Sequence, residues 1–139
     1  MDHDYSKLQS VPDDEFKKAL ADSSAHLANA TVSDEEDVNK IERLLDLKRG
    51  VLEGQKFRLE KGHCERCDRL LTFYDFVYTA IVDAGHPKSF VVHTLLGSKR
   101  ILNSPRKIRC SSCNTVTAGR MYYATDQYGC CYGNGWPPP

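Results

Sequence analysis

Between residues 38 and 52 the apolar positions Val38, Ile41, Leu44, Leu45, Val51 and Leu52 recur at three- and four-residue intervals among charged neighbours. That period places them on one face of a helix. The preceding Ser33-Asp34-Glu35-Glu36 supplies a cap and first-turn acids, and Gly50 or Gly54 is the expected stop. A weaker stripe, Phe16, Leu20 and Leu27, follows Ser10-Val11-Pro12-Asp13, which also reads as a helix start. The break from Ala28 to Val32 separates the two, so residues 12–54 are expected to form a helical hairpin. Phe57 and Leu59 alternate with polar residues and predict a short strand. Residues 73–84 carry both signals. Thr72-Phe73-Tyr74-Asp75 is a capping box and Phe73, Phe76, Val77, Ala80, Ile81 and Ala84 share a helical face, whereas Phe76 to Val82 is rich in strand formers. The caps favour a helix stopped by Gly85, and Ser89 to Leu96 reads as either helix or strand. Ile101-Leu102, Lys107-Ile108-Arg109, Thr115-Val116-Thr117 and Arg120 to Ala124 predict short strands of one small sheet.

This alternation of element types gives an α+β expectation for the 139-residue chain: a helical hairpin packed on a small module of short antiparallel strands. The expected divisions are an N-terminal segment 1–11, the hairpin 12–54, a module 55–132 and an irregular tail 133–139. Charge follows the same division. Residues 1–60 hold 14 acidic and 9 basic side chains, a balance of −5, and residues 61–139 hold 5 and 10, a balance of +5. An acidic helical layer against a basic strand layer follows. At 40% hydrophobic and 27% charged the composition is that of a globular chain.

The strand-rich half contains the most specific chemistry. Cys64-Glu65-Arg66-Cys67 and Cys110-Ser111-Ser112-Cys113 are two Cys-x-x-Cys pairs with 42 residues between them. A two-residue gap lets a backbone turn aim two sulfurs at one point, and two such turns close a tetrahedral thiolate cage. Cys64, Cys67, Cys110 and Cys113 are therefore the expected metal ligands, Zn²⁺ the expected ion, and the zinc-ribbon or knuckle type the expected module. Four thiolates leave no open position, so the expected role is structural. The four cysteines, with Gly119 and Tyr122, resemble the Yippee-type zinc proteins over residues 60–125, although Gly119 is followed by Arg120 where those proteins tend to carry Trp. The resemblance implies cysteine pairs that clamp the ends of small sheets.

Other residues offer competing chemistry. His63-Cys64-Glu65 with the second cysteine pair can be written as a zinc-deaminase frame, but Pro105 stands five residues before Cys110 instead of directly before it, and the frame leaves Cys64 and Cys67 unused. Asp75, His86 and His93 with the adjacent Cys130 and Cys131 could line a small-molecule pocket, in which a thiolate acts as nucleophile and an imidazole as base. A run of cations, Lys99, Arg100, Arg106, Lys107, Arg109 and Arg120, lies near Tyr122, Tyr123 and Tyr128. It could grip nucleic acid or form a seam against the acids of residues 13–46, and the compensating charges favour the seam.

Met1 to Ser6 shows neither the basic nor the apolar region of a secretory signal, and no apolar run approaches the ~20 residues of a membrane span. A cytoplasmic or nuclear location is expected, where reduced thiols favour metal over disulfides. The function expected from these features is that of a non-catalytic zinc-stabilised module for a protein partner, with nucleic acid as the main variant. The alternative is a small enzyme built on the Asp75, His86, His93 and Cys130 or Cys131 pocket.

Overall fold

A computed structural model of the chain describes residues 26–96, 101–103, 105–125 and 128–130, together with positions 14 and 18. Helix α1 (Glu35–Leu44) begins at Asp34, whose Oδ1 accepts the backbone N–H of Asp37 at 2.8 Å. Ser33 Oγ donates to Asp37 Oδ2 at 2.5 Å and closes the cap from the other side. The helix ends at Leu44, a turn and a half or more before either expected glycine. Asp46 takes a left-handed φ of 58° and reverses the chain. Glu42 reaches across this reversal: its Oε2 accepts the N–H groups of Gly50 and Leu52, both at 2.8 Å. Leu52 is thereby delivered to the core from a loop, at the spacing a longer helix would have given it, while Val51 stays exposed. The expected first arm of the hairpin lies outside the described residues, apart from helical positions 14, 18, 26 and 27.

Helix α2 (Phe73–Val82) resolves the ambiguous stretch in favour of its cap. The Thr72 N–H donates to Asp75 Oδ2 at 2.8 Å, and Phe73, Phe76, Val77 and Ala80 are buried along one face. Gly85, at φ 70°, ends it and lets the N–H of His86 reach Ala80 O at 3.1 Å. Helix α3 (Lys88–Leu96) follows Pro87 and buries Phe90, Val91 and Leu95.

Among the described residues five short strands form one sheet: β1 (Thr31–Val32), β2 (Arg58–Leu59), β3 (Ile101–Asn103), β4 (Tyr123–Ala124) and β5 (Tyr128–Cys130), in the order β1-β2-β4-β5-β3. All pairs are antiparallel except β3 with β5. The strands expected at 107–109 and 115–117 reduce to isolated bridges, Arg106 with Met121 and Arg109 with Val116. The architecture is α+β. An aromatic series crosses its core: Phe57 on Phe73 (4.9 Å between ring centroids), Phe73 on Phe76 (4.9 Å) and Phe76 on Tyr123 (4.1 Å). Phe57, Phe73 and Tyr123 are fully buried, so this series fixes α2 against β2 and β4. Among the described residues no helix is long and apolar enough to cross a membrane.

Candidate metal centre

The two cysteine pairs are built the same way. In the first, the Asp68 N–H donates to Cys64 O (2.9 Å) and the Cys64 N–H to Arg69 O (2.8 Å). In the second, the Asn114 N–H donates to Cys110 O (2.8 Å) and the Cys110 N–H to Thr115 O (2.9 Å). Asp68 and Asn114, each directly after a pair, have φ of 61° and 63°. This left-handed step folds the chain back under the turn, and Asp and Asn tolerate it better than most residues. The flanking strands then pair beneath each turn, His63 with Leu70 and Arg109 with Val116. The correspondence extends outward: the Leu71 N–H donates to Gly62 O and the Thr117 N–H to Ile108 O, both at 2.9 Å. These are two copies of one knuckle facing each other.

Their sulfurs meet. Ligand atoms of Cys64, Cys67, Cys110 and Cys113 all lie within 4.8 Å of one another. Across the knuckles, Cys64 Sγ is 3.4 Å from Cys113 Sγ and Cys67 Sγ is 3.7 Å from Cys110 Sγ. A tetrahedral ion with metal–sulfur bonds of about 2.3 Å separates its sulfurs by about 3.8 Å, so the cluster fits a tetrathiolate ion with small adjustments. The four cysteines could hold a metal ion.

Electrostatics of the cluster point the same way. Hydrogen bonding from the Thr115 side chain, then its backbone, brings Cys113 down to about 6. Burial opposes ionisation of Cys110, but the N–H groups of Cys113 and Ser112 and the Arg69 guanidinium outweigh it and lower its pKa. The Arg69 backbone N–H favours a Cys67 thiolate, yet desolvation and competition with the other three sulfurs push that thiol up to about 11. Thiolates in contact repel one another, so the ease of ionising Cys110 and Cys113 is matched by the reluctance of Cys67.

A network around Asp75 fixes the cluster to the fold. Asp75 is fully buried, and its Oδ1 accepts the N–H (2.9 Å) and hydroxyl (2.8 Å) of Ser111, inside the second knuckle. Arg69, just after the first knuckle, pairs with the same oxygen and extends Nη2 to within 3.7 Å of Cys110 Sγ. Desolvation pulls the Arg69 pKa down, but the charges of Asp75 and Cys110 hold it above its ordinary value. Thr72 Oγ1 carries the chain of bonds on to Asp37 Oδ1 of α1, at 2.8 Å. One carboxylate thus caps α2, holds the second knuckle and neutralises the arginine of the first. The capping box made Asp75 visible in the sequence as a helix start; nothing there shows that its other oxygen serves the cysteines.

The remaining candidates are distributed elsewhere. Glu65 Oε1 accepts the N–H of Ala118 at 2.9 Å, which gives it a structural task in place of the proton shuttle of a deaminase. His86 is buried and stacks on Phe90 (4.8 Å), while His93 is exposed on α3. Cys130 lies in β5, and Cys131 falls outside the described residues. Of the cationic run, Lys99 and Arg100 are outside the described residues. Arg109 is occupied: its Nε donates to Asp83 at 2.6 Å and its Nη1 to Asn114 O at 2.6 Å, so its acidic partner comes from the end of α2 rather than from residues 13–46. An ion pair between the two charge halves does occur between Lys88, at the start of α3, and Asp46, just after α1, at 2.9 Å.

Comparisons with curated proteins and with solved structures find no match to the chain. The likeness to Yippee-type proteins therefore rests on the four cysteines, Gly119 and Tyr122 alone. A family model does match: residues 3–132 fit the one described as Domain of unknown function (DUF8243), which takes in both knuckles and the described helices α1–α3 and strands β1–β5. The chain belongs to that family.

Proposed function

We propose that the chain is a zinc-stabilised module inside the cell, of zinc-ribbon or knuckle type over residues 55–132, whose metal is structural and whose task is to present a surface to a macromolecular partner. The observation that carries this reading is the convergence of four sulfurs from two matched knuckles to within 4.8 Å. Zinc suits the donor set, because an all-thiolate tetrahedral site of Cys-x-x-Cys pairs is its usual structural environment. When bound, it supplies folding free energy by cross-linking two segments of chain.

The protein groups do the rest. Arg69 offsets part of the negative charge of the thiolates, and Asp75 holds Arg69 and Ser111 in place. All four donor positions are taken by cysteine, which supports a closed site. The direct experiment is removal of zinc with a strong chelator while helical circular dichroism is followed. The reading expects loss of helix that returns on adding zinc; unchanged folding in metal-free, reduced protein would refute a structural role.

A further inference from the structure

Resting on that module reading, and naming its partner, we infer that the outer face of the β2–β4 strand pair binds single-stranded nucleic acid, with His26 stacked on Tyr122 as a base platform and Lys107 and Arg120 as its phosphate contacts. The argument begins with register. Arg106 and Met121 exchange both backbone hydrogen bonds, N–H to O at 3.1 and 2.7 Å, in an antiparallel bridge. Lys107 follows this bridge on one strand and Arg120 precedes it on the other. Two like charges flanking one bridge repel, and a bound anion would relieve that repulsion. Both residues are exposed, and among the described residues neither has a carboxylate partner. Arg109, by contrast, is neutralised by Asp83, whereas among the described residues Lys107 and Arg120 carry no ion pair.

The second observation is aromatic. Tyr122 lies two residues from Arg120 along the same extended segment, on the same side of the pleat. His26 lies flat on its ring, with centroids 3.9 Å apart and planes at 4°. Glu60 holds both halves of the stack: Oε2 is 3.4 Å from His26 Nδ1, and Oε1 accepts the Tyr122 N–H at 3.1 Å. The imidazole is backed by a phenol, fixed at its edge and 47% exposed on its outer side. An ordered, outward-facing ring beside a pair of unneutralised cations is the combination that single-stranded nucleic acid engages, bases on the ring and phosphates on the cations. Exposed Arg58, on the same face across β2, extends the positive flank.

The test is fluorescence anisotropy with a fluorescein-labelled single-stranded oligonucleotide of mixed sequence, about 16 nucleotides long. Full-length protein is used, and its zinc content is measured in every preparation. Wild type should bind at about 50 mM salt and weaken steeply as salt rises. Lys107→Ala with Arg120→Ala should weaken binding at least about tenfold and reduce the log–log salt slope by about 1.4, two phosphate contacts on a single strand. His26→Ala should weaken binding about fivefold or more with the salt slope unchanged, since stacking releases no counterions. Arg49→Ala, a remote exposed cation, should have no effect. Absence of binding by folded, zinc-loaded wild type overturns the inference and leaves the module reading intact. Equal binding of duplex or heparin, with His26→Ala silent, also overturns it. Protein that folds without zinc refutes the module reading instead, whatever the binding result.

Discussion

Asp75 and Ser111 are 36 residues apart in sequence, yet one carboxylate oxygen of Asp75 accepts both the backbone N–H and the hydroxyl of Ser111, at 2.9 and 2.8 Å. Through this contact the first turn of α2 and the second cysteine knuckle share one buried charge. Replacing the carboxylate with a methyl group would strand Arg69, Ser111 and the Thr72 N–H together. Asp75→Ala is expected to destabilise the protein by about 3 kcal/mol, and Asp75→Asn by less because an acceptor remains. Urea unfolding at fixed zinc checks the order of the two variants; equal stability of wild type and Asp75→Ala would contradict it.

Glu42 makes the corresponding link on the acidic side. Its two hydrogen bonds to Gly50 and Leu52 help bring the 46–52 segment back onto α1. Glu42→Ala should cost about 1–3 kcal/mol and accelerate amide exchange at Gly50 and Leu52 well before global unfolding. Protection at those two amides that matches wild type would assign their ordering to the burial of Leu52 alone.

The left-handed residues after each knuckle predict an asymmetry between substitutions. Asp68→Gly fits a φ of 61° without strain, whereas Asp68→Val places a branched side chain where it is disfavoured by about 1–2 kcal/mol. The glycine variant should retain metal as wild type does. The valine variant should lose it at a lower chelator concentration, as measured by competitive titration.

Gly62 offers a packing test beside the first knuckle. A Cβ built there would lie 2.9 Å from Met121 Cε, the end of a flexible side chain. Gly62→Ala should therefore cost about 1 kcal/mol, because Met121 can yield. In a double-mutant cycle, shortening Met121 to Val should recover most of that loss. Strict additivity of the two changes would mean that they do not press on each other.

The sequence disclosed most where local chemistry decides. The capping residues of α1 and α2 were visible because a side-chain oxygen three residues from a backbone donor is a local relationship, and it prevailed over the strand propensity of Phe76 to Val82. Both knuckles were legible from Cys-x-x-Cys spacing. Three features were hidden because they depend on partners distant in the chain. Leu52 continues the helical period of α1 but is buried from a loop tied down by Glu42. The expected strands at 107–109 and 115–117 became single bridges, since the knuckle turns leave room for little more pairing. Arg69 and Asp75 reach Cys110 and Ser111 only after the fold has brought residues about forty positions apart into contact. The Asp or Asn that follows each cysteine pair is a local sequence signal for the left-handed step.

The central claim is that Cys64, Cys67, Cys110 and Cys113 bind a single structural zinc. Its most direct test is the metal-to-protein ratio of freshly prepared, reduced protein, measured by elemental analysis for wild type and for Cys110→Ser. The account predicts about one zinc per wild-type chain, and for Cys110→Ser loss of most of the metal together with a collapse of stability on the order of the roughly 10 kcal/mol that structural zinc supplies. Wild-type protein free of zinc yet folded, or a Cys110→Ser variant as stable and as metal-rich as wild type, would contradict it.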